Sequence, residues 1–345
     1  MERRKIKFAF SYKRILISLT LGILSIFALY TLFENLRQSF NLILSVNLPV
    51  YLLAILISIS AFHMYIISWT FLLKALKIKI RFRHVVSLVW TSYFFDAMIP
   101  TGSVSGEVIR AYLTSRKYGA KLADAMSSVV AHRIVAISSF LIMGLISFIS
   151  LFLLFHRSQQ ILILCGIMLS LSLFALIALT YLSLKPKAIN RLLKVILIIC
   201  KKLSRKAEKK IKRWEPRVSQ AVQEFSKGMK LLITHKKTMI LTFLTSIIWW
   251  LGNAFVGYII FLSLGYRINF FLILFVFTIT ILVRMIPIFI PGSMGLFEAV
   301  TIGLWSSLKV STSVAAAVAL LTRNVWVVQV LIGLLATLRE FRNLK

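Results

Sequence analysis

Charge is scarce in this chain, and acid is scarcer still. Only 15% of its 345 residues are charged, and ten carboxylates stand against 42 lysines and arginines. With 59% hydrophobic residues, it lacks the polar surface that a soluble domain of this length requires. Cysteine is nearly missing. Cys165 and Cys200 fall in apolar or amphipathic stretches and give neither a disulfide framework nor a metal site. No Gly-x-x-x-x-Gly-Lys-Ser/Thr loop occurs, which leaves gradients or simple equilibration to drive any transport. The apolar stretches hold no serine or cysteine nucleophile paired with histidine and no cluster of metal ligands, so an enzyme is the least expected reading and no cofactor is implied. The apolar runs are continuous rather than alternating, which disfavours a membrane β-barrel.

What is present in quantity is long apolar sequence. Several runs reach 19 residues or more, enough to cross a hydrocarbon core of about 30 Å, and the mean hydropathy is +0.89. The fold class this implies is all-α, a polytopic membrane protein forming a single transmembrane domain over 1–345. The run from Ile15 to Phe33 is too long for a signal-peptide core and no small-x-small site follows it, so it reads as a retained first span. Further spans are expected at about 49–73, 125–155, 161–184, 238–262 and 313–338, with a loop at 34–48.

The basic residues orient these spans. Segments 1–14, 74–83, 116–121, 185–237 and 339–345 hold 34 of the 42, the intervening loops hold four (Arg37, Arg157, Arg267 and Lys309), and the last four (Arg110, Arg133, Arg284 and Arg323) fall within apolar segments. By the positive-inside rule both termini are cytoplasmic and the protein sits in the cell membrane. In a soluble protein a net charge of +32 would suggest nucleic acid; here lipid is the better partner. The segment 185–237 carries seventeen basic residues against three acids, with Ile189, Leu192, Leu193, Ile196, Leu197, Val218, Val222 and Phe225 at helical spacing. It reads as amphipathic helices on the anionic inner leaflet.

Two short stretches break the apolar pattern in the same way. Pro100, Gly102 and Gly106 are followed by Glu107; Pro291, Gly292 and Gly295 are followed by Glu298; each glutamate lies seven residues after its proline. An arginine follows in each case, Arg133 after 26 residues and Arg323 after 25. The helices flanking each break are too short to cross a bilayer, so each break is expected at the tip of a re-entrant hairpin, one entering from inside and the other from outside. That makes an inverted-topology repeat, with a first unit at about 49–155 and a second at about 238–338. Broken helices that meet near the midplane are how many secondary transporters build a substrate site.

Charge inside a membrane costs about 2.5–3.5 kcal/mol on the lenient scale, so Glu107, Arg110, Arg133, Arg284, Glu298 and Arg323 should face a cavity or each other. Arginines outnumber glutamates in this set, and helix N-termini at the breaks add positive potential, which favours an anion such as phosphate. The bland alternative is that Glu107–Arg133 and Glu298–Arg323 are ion pairs that only hold broken helices in place. Arg110 can instead snorkel to the interface. Ser103 or Ser105 can cap the returning helix, Asp96 can line the hairpin, and Asp124 suits a helix cap. His132, Trp249 and Trp250 read as packing residues, and His63 has no visible partner.

With these motifs in place, the chain resembles the transmembrane, flippase-type region of lysylphosphatidylglycerol synthases and its stand-alone UPF0104 relatives. The resemblance spans nearly the whole chain. It implies translocation of a phospholipid or lipid-linked head group between leaflets, with Glu107, Arg110, Arg133, Glu298 and Arg323 as the positions that matter. Full synthases carry a soluble aminoacyl-transferase domain after the membrane part; the sequence reaches Lys345 seven residues past its last span, so no lipid aminoacylation is expected. Thr101-Gly102-Ser103 replaces a glycine-richer run in many relatives, so the substrate does not carry over. Two other readings stay open: an anchor or partner for a separately encoded glycosyltransferase or lipid synthase, and a carrier of a small anionic solute.

Overall fold

The structure is a computed structural model and describes residues 36–99, 104–155, 159–191, 205–285 and 291–342. The expected span at 15–33 lies outside the described residues, as do Pro100 and Gly102. The described residues are helical and contain no strand. In chain order the helices are α1 (Leu36–Leu44), α2 (Leu48–Ala75), α3 (Phe82–Met98), α4 (Val104–Tyr118), α5 (Leu122–Phe155) and α6 (Gln159–Leu184). They continue with α7 (Arg205–Thr234), α8 (Lys236–Ser263), α9 (Phe270–Met285), α10 (Leu296–Ser307) and α11 (Thr312–Arg342). Five of them are long and apolar enough to cross a membrane: α2, α5, α6, α8 and α11.

Local chemistry sets the helix ends. Asn47 precedes α2 and its side chain accepts the Val50 N–H, while Pro49 sits in the first turn, where a missing N–H costs nothing. Gly119 and Gly265 adopt left-handed backbone in the turns after α4 and α8, where a residue without Cβ is at no disadvantage. Between 34 and 48 the sequence suggests only a loop, yet α1 occupies most of it. Nine residues are too few to register as a span, and burial of Ser39 shows the helix packed on the bundle rather than left in solvent.

Short turns bring the helix ends together at two poles. The turns α2–α3, α4–α5 and α7–α8 lie at one pole, with Lys74, Lys77, Lys79, Arg81, Arg83, Lys121, Lys236 and Lys237 in or beside them. The turns α8–α9 and α10–α11 lie at the other, where Asn47 N–H donates to Ser263 O at 2.8 Å. The first will be called the basic pole and the second the far pole. Each pole has its own core. Trp69, Leu72, Leu88, Leu113 and Val129 pack at the basic pole; Phe261, Phe275, Trp305 and Val318 pack at the far pole.

α2 lies along α8 so closely that a Cβ on Gly252 would fall 2.6 Å from the Ala61 Cβ. α3 crosses α11 equally tightly, with Gly333 against the Trp90 carbonyl and Phe94. α6 stands at the periphery, with Leu171, Phe174 and Ile177 exposed, as lipid-facing residues should be. The C-terminal part of α7 docks on the start of α5: Ser127 Oγ donates to Phe225 O at 2.9 Å, and Met229 and Leu232 are buried. That part of the amphipathic face, expected on lipid, is therefore covered by protein. The small side chains of Ser127 and Gly228 allow the close approach.

Candidate functional site

α3 contacts the short turn at Pro291–Ser293 that precedes α10. α3 and α4 form a hairpin, and α9 and α10 form another. α3, α4, α9 and α10 are 17, 15, 16 and 12 residues long, or about 26, 22, 24 and 18 Å.

The first hairpin is closed by a carboxylate that the sequence placed only near it. Asp96 Oδ1 accepts the Gly106 N–H at 2.7 Å and the Ser105 hydroxyl at 3.2 Å. The preceding helix thus supplies an acceptor to the first turn of α4, and Ser105 donates to the same carboxylate, while Ser103 lies outside the described residues. Gly106 is required here, since a Cβ would strike the Ser92 carbonyl and lie 2.6 Å from Asp96 Oδ2. One turn along α4, Glu107 Oε1 accepts from Arg133 Nη1 of α5 at 2.9 Å.

The second hairpin is closed from within. Pro291–Ser293 forms a short 3-10 turn in which Gly292 and Ser293 have φ of 58° and 51°. The left-handed region suits Gly292, but strains Ser293. Gly295 follows with φ 82°, and its N–H donates to Glu298 Oε2 at 2.8 Å. Glu298 Oε1 accepts from Arg323 Nε of α11 at 2.5 Å. Arg323 also donates to Gly292 O at 2.9 Å and Ser293 O at 3.4 Å, and its guanidinium stacks on Phe297 and Trp326. One arginine therefore holds the carbonyls of the break, its helix-starting carboxylate and two rings together.

Between the hairpins lies a cavity of about 330 Å³. Its walls come from α2, α3, α4, α5, α8, α9, α10 and α11. Asp96, Glu107, Arg133, Arg284 and Arg323 face it, with Tyr65, Tyr93, Trp249, Trp250, Trp326 and Gln329. A polar chain crosses it: Tyr93 donates to Gln329 Oε1 at 2.7 Å, and Gln329 Nε2 donates to Ser58 Oγ at 2.6 Å.

The structure thus brings together Glu107, Arg133, Arg284 and Arg323 at the cavity, with Glu298 directly behind Arg323. It does not bring Arg110 there. Arg110 is fully buried behind Tyr65, its Cζ 4.5 Å from the Trp69 ring centre, so it neither lines the cavity nor snorkels. Gly292 lines the cavity, Gly106 and Gly295 shape its hairpins, and Pro291 opens the second turn.

Among the charges that line the cavity three arginines still outnumber two acids, Asp96 and Glu107, and counting Glu298 behind Arg323 makes the two kinds equal. Asp96, Glu107 and Glu298 stand against Arg133, Arg284 and Arg323. Arg284 nevertheless makes no ion pair or hydrogen bond among the described residues; its nearest partner is the Phe297 ring, 5.7 Å from Cζ. Asp96 carried a readable signal, a carboxylate four residues before a proline break. Gln329 and Ser58 were ordinary polar residues in apolar helices, and nothing in their spacing linked them. His132 behaves as a packing residue, buried with Nε2 2.6 Å from Ser68 Oγ. No group of metal-ligating side chains occurs among the described residues.

Comparison with known proteins fits this architecture. The chain is 26% identical over 328 residues to a UPF0104 membrane protein of Pyrococcus horikoshii, an overlap covering 94% of this chain and 96% of that one. A UPF0104 membrane protein of Methanocaldococcus jannaschii is 27% identical over 306 residues, 88% of each chain. One of Methanothermobacter thermautotrophicus is 26% identical over 276 residues, 80% of each chain. Residues 15–333 match the family described as the lysylphosphatidylglycerol synthase TM region, and the chain belongs to that family of multi-pass membrane proteins.

Proposed function

We propose that this protein moves a phosphate-bearing lipid head group between the leaflets of the cell membrane through the cavity between the two hairpins. The observation that carries this reading is Arg284. Arg133 and Arg323 are each held by a glutamate, whereas Arg284 faces the cavity with no carboxylate of its own among the described residues. A guanidinium held beside the Phe297 ring is a strong acceptor-seeking group and suits an oxyanion in two-point contact. The cavity is small for a ligand site. It has room for a head group and not for acyl chains, which would stay in the bilayer.

The packing supports an inverted repeat. α2 packs on α8, its counterpart; α3 packs on α11, and reciprocally α9 packs on α5. The Glu107–Arg133 and Glu298–Arg323 pairs occupy matching places. In this reading the hairpins are re-entrant, the basic pole and both termini are cytoplasmic, and the basic segment 185–237, whose Lys227, Lys230, Lys236 and Lys237 are exposed, gathers anionic lipid. No covalent chemistry is assigned to the protein. A carrier of a small anionic solute would use the same arginine, and the size of the cavity favours that as the second reading.

The test is binding. Four tryptophans, Trp249, Trp250, Trp305 and Trp326, line the cavity. Titrating the purified protein with dihexanoylphosphatidylglycerol should change their fluorescence saturably, and Arg284→Gln should weaken binding at least about tenfold, the loss expected for one charge-assisted contact. A response unchanged by Arg284→Gln would contradict the assignment. Saturation by inorganic phosphate with none by the lipid would favour the solute reading.

A further inference from the structure

The cavity extends closer to one pole than to the other. Toward the far pole it extends to Phe261, Ile273, Trp305 and Val318, each within about two turns of a helix end. Toward the basic pole it stops at Tyr65, Val89, Glu107, Arg133, Trp249 and Gln329. Beyond these residues α2, α4 and α11 continue for ten or more residues, about 15 Å or more, with none facing the cavity.

Two features of that closed half are unusual. One ties the two halves of the molecule together. Lys117 of α4 donates to Glu340 Oε2 of α11 at 2.5 Å, and Glu340 is 2% exposed. The other is Arg110. Its side chain is wholly buried, yet Nε, Nη1 and Nη2 have no hydrogen-bond partner among the described residues. Stacking on Trp69 and Tyr65 satisfies the face of the guanidinium but none of its five N–H donors. A buried cation with all its donors idle is among the costliest arrangements a fold can hold. Tyr65 is the wall between it and the cavity, lying 5.8 Å from Arg110 Cζ on one side and lining the cavity on the other.

We propose that Arg110 is a second anion-binding site, for a phosphate or similar oxyanion, occluded in this conformation, and that the Lys117–Glu340 ion pair is the latch that holds it shut. The cavity then offers Arg284 when open to the far pole, and Arg110 takes over the same anion when the basic pole opens. The proposal rests on the transport reading only for the identity of the anion. The latch and the site are tested by thiol labelling, and lipid exchange in the same protein separates their failure from that of the transport reading.

Thr114 provides the reporter. It is fully buried one turn from Arg110, and its hydroxyl bonds only to the Arg110 carbonyl among the described residues. In a Cys165→Ala, Cys200→Ser background, Thr114→Cys is exposed in proteoliposomes to an anionic and a cationic methanethiosulfonate. With the latch intact it should react with neither. With Glu340→Gln added it should react, and about tenfold faster with the anionic reagent, as expected for attraction by a fixed cation. Arg110→Gln should remove that preference and Arg110→Lys should keep it. Should Arg110→Gln not fold, protection supplies the second measure. Slowing by dihexanoylphosphatidylglycerol alone makes this a lipid head-group site; slowing by inorganic phosphate makes it a site for a free anion; slowing by neither overturns it. A Thr114→Cys protein that stays unreactive after Glu340→Gln, while still folded, overturns the latch. Lipid exchange that persists in that protein would sink this inference and leave the transport reading standing.

Discussion

Replacing Glu298 tests how the second hairpin is held. The carboxylate is 2% exposed and accepts two hydrogen bonds, one from Gly295 N–H and one from Arg323 Nε. Glu298→Ala removes both and leaves the Arg323 charge buried against carbonyls and rings, a loss of about 3–5 kcal/mol by analogy with other broken buried pairs. Glu298→Gln keeps the shape and the bond to Gly295 but gives up the charge. It should cost about 1.5–3 kcal/mol, the value of a charge-assisted bond. On the scale of mid-sized domains, the glutamine variant should lose roughly 3–8 °C of apparent midpoint. Heating the detergent-purified protein and following its monomer peak by size exclusion reads this directly. The deciding comparison is the double variant Glu298→Gln with Arg323→Met, where no charge remains unpaired. Its loss should fall short of the sum of the single losses by about 2 kcal/mol. Additive losses, or a glutamine variant as stable as the parent, would refute the claim that this pair holds the break together.

Further outcomes follow from the same geometry. Gly333→Leu should destabilise by about 1–3 kcal/mol, because its first carbon already lies 2.7 Å from the Trp90 carbonyl oxygen. Gly303→Ala, in open space within α10, should be neutral or stabilise by up to about 1 kcal/mol; both are read by the same heating assay. Asp96→Asn should keep the acceptor for Gly106 N–H and hold its midpoint closer to the parent than Asp96→Ala, which loses a helix cap worth about 1 kcal/mol. Lys117→Gln should resemble Glu340→Gln in exposing Thr114→Cys, since either removes the link between α4 and α11.

The multi-pass helical architecture was legible because hydrocarbon thickness imposes span length, and lipid imposes continuous apolar runs. The two breaks were legible because proline, glycine and glutamate recur at one spacing. The finer arrangement was not. Arg110 follows Glu107 by a helical turn, so spacing put both on one face, but Arg110 stacks on Tyr65 and Trp69 of α2 and only Glu107 reaches the cavity. Phe225 marks an amphipathic face that periodicity alone could not assign to lipid or protein; the small residues Ser127 and Gly228 decided it. α1 was too short to betray itself. That Arg284 has no ion-pair partner among the described residues depends on how α9 packs against α5, which no local pattern encodes.

The central claim is passage of a lipid head group through a charged cavity, and leaflet exchange tests it most directly. The protein is reconstituted with head-group-labelled phospholipids, and the fraction reached by an external quencher is followed over time. The account predicts faster exchange than in empty liposomes, lost in folded Glu107→Gln, Arg133→Gln and Arg284→Gln variants. Exchange no faster than in empty liposomes, across several phospholipids and with folded protein, would contradict it and leave the paired charges as scaffold for an anchor or partner of another enzyme.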